Sequence, residues 1–280
     1  MIKPATTSSE PILYLKGVGV TYPGGTKALH PQSLEIRKGE VTILLGRSGA
    51  GKSTLLRAMN LLVSPTEGVV SCPALGDLSG ISKIRKHRRR TGMVFQQHQL
   101  IGRQTALTNV LTARLSRYST LRSLFALPRA DREKALSCLD RVGILEKALQ
   151  RVDQLSGGQQ QRVGVARALA MEPDLILADE PVASLDPATS RQLLTLLRDV
   201  CRRDGITLVI SLHQVEFAKE FGDRIVALAH GRIVFDDVPE KLDESALSSI
   251  YEGETVEETS GPEETGTSAG KDAALAAALR

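Results

Sequence analysis

The chain has 280 residues, 41% of them hydrophobic and 24% charged, which excludes a wholly disordered or fibrous protein. Aromatic residues make up 3% and tryptophan is absent, which argues against a module that holds single-stranded nucleic acid on stacked aromatic platforms. The net charge is +4, with −5 carried by residues 252–280 and +9 by the rest, a basic body that suits nucleic acid, anionic lipid or phosphate ligands without choosing among them.

Met1 to Pro11 is a polar lead-in without the apolar segment of a secretory signal, and no run reaches ~18 apolar residues, so a cytosolic protein with no membrane span is expected. Ile12–Pro23 and Ala28–Lys38 read as strands. Thr42–Leu45 is a short apolar run that enters a glycine-rich stretch, the pattern of a strand feeding a phosphate-binding turn. Leu55, Leu56, Met59 and Leu62 then recur at helical spacing until Pro65 and Gly68. Lys83–Arg90 holds six basic residues and His87; without interleaved aromatics it is read as a solvated face before a short strand at Met93–Phe95, with nucleic-acid or lipid contact the alternative. Ala106–Val152 is mostly helical, and this helical middle suggests a subdomain inserted into the sheet domain. Leu175–Ala178 and Thr207–Leu212 are apolar runs of the kind that form buried parallel strands, with a helix through Leu193, Leu194 and Leu197 between them. Ile225–Leu228 and Ile233–Phe235 close the order as a hairpin turning at His230-Gly231. Glu252–Gly270 reads as a disordered acidic tail, and Ala273–Leu279 as a transient helix. Alternating strands and helices give an α/β fold with a largely parallel sheet. Cys72, Cys138 and Cys201 are far apart and lack metal-ligand spacing, so free thiols are expected.

Three local patterns carry chemistry. Gly46-Arg47-Ser48-Gly49-Ala50-Gly51-Lys52-Ser53-Thr54 fits G-x-x-x-x-G-K-[ST] between a strand and a helix. Its glycines let backbone N–H groups turn inward around phosphate oxygens, and the helix N-terminus adds positive potential. Lys52 would reach the β/γ-phosphates and Ser53 would ligate Mg²⁺. Leu175–Ala178 ends in Asp179 and Glu180, where Asp179 can hold Mg²⁺ and Glu180 can polarise the attacking water. Leu155-Ser156-Gly157-Gly158-Gln159 opens a helix, either as a second anion site or as an ordinary serine N-cap.

With the phosphate loop, Gln96 after a strand, Leu155–Gln159, Asp179/Glu180, Ser184-Leu185-Asp186 and His213 in this order, the sequence resembles the ATP-binding cassette subunits of ABC transporters over about Leu13 to Val238. The resemblance implies a P-loop NTPase cassette. It would have a RecA-like parallel sheet core, an N-terminal antiparallel β subdomain and a helical subdomain near 97–160, within a domain spanning 12–251. It implies ATP and Mg²⁺ as cofactors, with Tyr22 stacked on adenine and residues 46–54 around the phosphates. Ser53, Gln96 and Asp179 would lie at the metal, and Glu180, His213 and Gln96 at the reacting water and γ-phosphate. Ser156, Gly157, Gly158 and Gln159 would meet the nucleotide held by a second copy, and Asp186 would communicate across that interface. The expected partners are that second copy, two membrane permease subunits and an extracytoplasmic solute-binding protein, with no nucleic acid. The expected place is the cytoplasmic face of the inner membrane.

Within the family, Arg89–Leu100, Asn109-Val110-Leu111 with Arg114-Leu115, Ser119–Leu124, Leu212–Val215 and Gly231–Asp236 resemble the phosphonate-import ATPases. That implies uptake of phosphonates, phosphate esters or phosphite. Importers of another solute, such as an amino acid or phosphate, stay open, as does an exporter with separate permeases. A DNA-acting ATPase is more remote, because the 104 residues from Lys52 to Ser156 are too few for a long coiled coil.

Overall fold

The computed structural model describes residues 10–96, 99–119 and 127–251. The acidic tail, most of the polar lead-in and most of Ser119–Leu124 lie outside the described residues. Two sheets build the structure. The first is four-stranded and antiparallel, in the order β2 (Lys27–Arg37), β1 (Pro11–Thr21), β4 (Glu67–Cys72) and β5 (Gly76–Asp77). The second is six-stranded, in the order β10 (Arg232–Asp237), β9 (Arg224–Ala229), β3 (Val41–Leu45), β8 (Thr207–Leu212), β7 (Leu175–Ala178) and β6 (Thr91–Val94). It is parallel except for β10 against β9.

Each central strand of the second sheet is buried on both faces, so it reads as an unbroken apolar run rather than an alternating one. Alternation survives as a division between two cores. Ile43, Leu45, Ile176, Leu208, Ile210 and Ile225 face one core, which the helices fill. Leu44, Leu177, Val209, Val226 and Leu228 face the other, with α1 (Lys52–Met59) and the apolar side of the antiparallel sheet, including Leu13, Leu15, Leu29 and Ile36. The helical side holds α3 (Ala106–Arg114), α4 (Arg129–Arg141), α5 (Gly157–Ala170), α6 (Pro187–Asp204), α7 (Val215–Phe221) and α8 (Glu244–Tyr251). Among the described residues no helix is long and apolar enough to cross a membrane. All three cysteines are free and buried.

Three segments differ from the sequence expectations. The first helix ends at Met59, and Leu62 lies beyond it, exposed. Leu61 takes a left-handed φ of 54°, and the N–H groups of Leu62 and Val63 return to the Arg57 carbonyl, which ends the helix before proline is reached. Gly68 does not end an element but lies inside one, as the second residue of β4. Its φ is 72°, and a Cβ there would sit 2.2 Å from the Gly17 carbonyl oxygen, so only glycine permits the close approach of β4 to β1. The basic stretch is a helix, α2 (Ile81–Arg89), and not wholly a solvated face. His87 is buried with Nε2 2.9 Å from the Met59 carbonyl, and the Arg88 guanidinium donates to the Asn60 and Leu61 carbonyls. These bonds satisfy the open carbonyl end of α1.

The helical side is fastened by one buried charge. Arg114, at the end of α3, donates to Asp131 Oδ1 of α4 at 2.7 Å, to the Ala170 carbonyl at 2.9 Å and to Glu172 at 3.1 Å. Glu172 also pairs with Lys134 and Arg117. The Lys134 hydrogen bond, helped by those of Arg114 and Arg117, holds the Glu172 carboxyl down at about 2. Removing Arg114 takes the paired cation from the buried carboxylate of Asp131 and leaves it the Tyr118 hydroxyl, so Arg114→Met is expected to lower unfolding free energy by about 3 kcal/mol in urea titrations. Because the Glu172 carboxyl ionises more readily folded than unfolded, its contribution is present above its ordinary value of 4.5 and is lost as pH falls towards about 2. Unfolding midpoints measured across that window are expected to fall with pH, and less steeply in Glu172→Gln.

Candidate active site

The parallel register decides what meets at the site. Leu45 pairs with Leu212, and Ala178 with Ile210, so the chain leaves β3, β7 and β8 at one edge of the sheet. Open α/β sheets bind ligands at that carboxyl edge. The phosphate loop leaves β3 there, Asp179-Glu180 leaves β7 and His213 leaves β8.

The loop is shaped by glycines. Gly46, Gly49 and Gly51 have φ of 150°, 83° and 100°, and a Cβ at Gly46 would lie 2.3 Å from the Leu228 carbonyl oxygen. Arg47, Ser48 and Gly49 are exposed at the rim, whereas Ala50 is buried. Gly51 precedes α1 with no side-chain cap, so the first N–H groups of that helix are left to a ligand.

Lys52 is 3% exposed, and its ammonium donates to the Gly46 and Arg47 carbonyls at 2.8 and 2.9 Å. It lies 3.6 Å from Glu180 Oε1. Burial lowers its pKa, and the charge and hydrogen bond of Glu180 oppose that effect. Glu180 in turn lies 3.3 Å from His213 Nδ1. Glu180 has a left-handed φ of 45°, a conformation that costs an ordinary residue roughly 1 kcal/mol and often marks a functional turn.

Beside this chain of charges is a network of hydroxyls. Ser53 Oγ donates to Asp179 Oδ1 at 2.7 Å, and Ser211 Oγ donates to the same oxygen at 3.1 Å. The Glu180 N–H donates to Ser211 Oγ at 2.8 Å. Arg57 stands 3.8 Å from Asp179 Oδ2. The Tyr22 hydroxyl lies 3.2 Å from Thr54 Oγ1, which places that half-buried ring beside the loop helix. Gln96 is exposed just past β6.

The structure therefore brings together residues 46–54, Tyr22, Asp179, Glu180 and His213. The Leu155–Gln159 stretch has other neighbours. Ser156 caps α5 in a reciprocal box with Gln159: the Ser156 N–H donates to Gln159 Oε1 at 3.0 Å, and the Gln159 N–H donates to Ser156 Oγ. A Cβ on Gly158 would meet Thr189 at 3.1 Å, and one on Gly157 would meet Leu185 at 3.9 Å. Asp186 caps α6 by accepting from the Ala188 and Thr189 N–H groups, and the Thr189 hydroxyl, followed by these backbone bonds, holds its carboxyl below its ordinary value. Two capped helix starts thus lie side by side.

Sequence reasoning missed Ser211, Arg57 and Tyr251. Ser211 stands fully buried in the otherwise apolar Thr207–Leu212 run, and a lone serine there was the available signal. Tyr251 ends α8, donates through its hydroxyl to the His213 carbonyl and accepts Arg47 Nη1 at its own carbonyl, both at 3.2 Å, so it links two loops of the site. No local pattern announces that contact.

A profile described as ABC transporter matches residues 29–183, more than half of the chain. The chain belongs to the ABC transporter family. It is 62% identical over 242 residues to the phosphite import ATP-binding protein of Stutzerimonas stutzeri, covering 86% of this chain and 88% of that protein. It is 56% identical to a phosphonates import ATP-binding protein of Nostoc sp., covering 86% and 92%. Among solved structures it is similar to a dimeric ATP-binding cassette bound to ADP and Pi, with 37% identity, a TM-score of 0.72 and coverage of 81% and 99%. It is also similar to the CbiO1 cassette of Clostridium perfringens, with 29% identity, a TM-score of 0.73 and coverage of 84% and 91%. As an ABC cassette the chain is an ATPase with a nucleotide site.

Ser211 gives the site a test independent of the more obvious residues. Ser211→Ala leaves the Glu180 N–H without its acceptor and Asp179 without one donor. Stability is expected to fall by about 1–3 kcal/mol. Steady-state ATPase assays are expected to show kcat down roughly tenfold, about 1.4 kcal/mol, with nucleotide affinity little changed.

Proposed function

We propose that this ABC cassette hydrolyses ATP to energise import of phosphonates, or of the reduced oxyanion phosphite, through separate membrane permease subunits. The 62% identity to a phosphite import ATP-binding protein over 86% of the chain carries the cargo reading. Phosphonate import relatives at 50–57% identity support the same class.

In this reading residues 46–51 and the start of α1 wrap the β/γ-phosphates with backbone N–H groups. Lys52 exchanges its carbonyl partners for phosphate oxygens, a charge-assisted contact that also relieves its burial. Ser53 and Asp179 are hard oxygen donors 2.7 Å apart, which fits Mg²⁺; together with Gln96 they would hold the ion, whose charge would neutralise the phosphates. Glu180 accepts the proton of the attacking water, and His213, 3.3 Å from it, orients water and γ-phosphate. Tyr22 takes the adenine face. Ser156, Gly157, Gly158 and Gln159 close on the nucleotide of a second copy, with Asp186 at the same interface. The separation of that stretch from the phosphate loop supports a paired arrangement, as does the similarity to a dimeric cassette. The pair would sit at the cytoplasmic face of the inner membrane under two permeases fed by a solute-binding protein.

Lys52→Ala is expected to weaken ATP binding at least tenfold, measured by equilibrium titration. Glu180→Gln is expected to retain binding, lower kcat by roughly 10²–10⁴-fold and accumulate an ATP-bound dimer visible by light scattering. Turnover at the normal rate would remove Glu180 from its role. Cargo is tested by deleting the gene in its host and comparing growth on 2-aminoethylphosphonate, phosphite or phosphate as sole phosphorus source. Growth lost on phosphonate or phosphite alone, and restored by the wild type but not by Glu180→Gln, is the expected outcome. Unchanged growth on all three points to another cargo.

A further inference from the structure

A cavity of about 510 Å³ opens at the opposite edge of the parallel sheet from the nucleotide site. Thr91 and Leu175, the first residues of β6 and β7, line it, whereas Asp179 and Glu180 follow the far end of β7. Three residue steps along that strand separate the two edges by roughly 10 Å. Its volume lies within the range of about 300–1,000 Å³ usual for small-molecule sites.

The lining is divided by chemistry. Ile12, Leu75 and Leu175 supply an apolar floor. Lys38, Lys86, Arg89 and Arg90 supply four cations against two carboxylates, Glu10 and Asp174. The Arg90 guanidinium already pairs with Asp174. Lys38, Lys86 and Arg89 are exposed and form no ion pair with another described residue. Cations gathered over an apolar concavity repel one another, and a ligand with an apolar body and an anionic head relieves both features at once.

The wall that carries two of those cations is tied to the phosphate loop helix. Lys86 and Arg89 flank His87 and Arg88 on α2, and those two residues hold the Met59, Asn60 and Leu61 carbonyls at the end of α1. The other end of α1 is the phosphate loop. We propose that this cavity binds a small organic anion with an apolar body, and that its occupancy couples to nucleotide affinity through α2 and α1.

The test uses the full chain and the fluorescent anion 8-anilinonaphthalene-1-sulfonate, titrated with ADP saturating so that the nucleotide site is filled. One probe per chain is expected. N-phenyl-1-naphthylamine, the same aromatic body without the sulfonate, is expected to bind at least tenfold more weakly. The double variant Lys86→Gln/Arg89→Gln should weaken the sulfonate tenfold or more. So should Ala74→Glu, which adds a carboxylate at an exposed lining position without touching the core. The sulfonate is expected to shift the Kd for ADP in the wild type by at least twofold and not in Ala74→Glu, since coupling between two binding equilibria is reciprocal. Equal binding of the neutral amine, no binding with the nucleotide site filled, or indifference to both variants would overturn the site. Binding with an unchanged Kd for ADP would overturn the coupling.

Discussion

The arrangement of the catalytic edge depends on the register of three parallel strands. Because Leu45 stands opposite Leu212 and Ala178 opposite Ile210, Gly46 and His213 leave the sheet at the same level, and Asp179 comes level with Ser211. A slip of one residue would turn Ile43, Ile176 and Ile210 from one core to the other. Burial on both faces therefore fixes the geometry of the charged edge, although none of the residues fixing it carries charge.

At that edge charges and hydroxyls are arranged in series. Lys52 stands between loop carbonyls and Glu180, Glu180 between Lys52 and His213, and Asp179 between Ser53 and Ser211. Buried charge is costly unless paired, so these partners hold the site together while leaving Lys52 bonds that phosphate oxygens can replace. The capped starts of α5 and α6 are different. Their side-chain caps satisfy some N–H groups, and Ser156 and Asp186 stay exposed. In the proposed pair this surface meets the partner's nucleotide, so one chain holds two half-sites that face outward.

Much of this was legible in the sequence because its strongest constraints are local. Leu175–Ala178 and Thr207–Leu212 match β7 and β8 residue for residue, since strands buried on both faces read as near-continuous apolar runs, interrupted in β8 by the buried hydroxyls of Thr207 and Ser211. The phosphate loop was legible because its glycines, lysine and hydroxyl are contiguous. What escaped depends on distant partners. β4 was hidden because Gly68 looks like a terminator until Gly17 is placed against it. α2 was hidden because its charge suggested solvent, whereas His87 and Arg88 turn inward to another helix's end. The Arg114 cluster joins residues on α3 and α4 and beyond α5, which no spacing rule connects.

The two edges of the sheet also divide two kinds of electrostatic work. At the carboxyl edge, positive potential comes mainly from the backbone, the N–H groups of a glycine loop and a helix start, with one buried lysine. Such potential is fixed in direction and suits a ligand whose oxygens need fixed positions. At the opposite edge it comes from long, exposed lysine and arginine side chains around an apolar floor. Those cations adjust to ligand shape and give affinity for charge with little demand on geometry. The +9 outside the acidic tail is thus not one basic surface, and only its contiguous part, the phosphate loop, shows its purpose in the sequence.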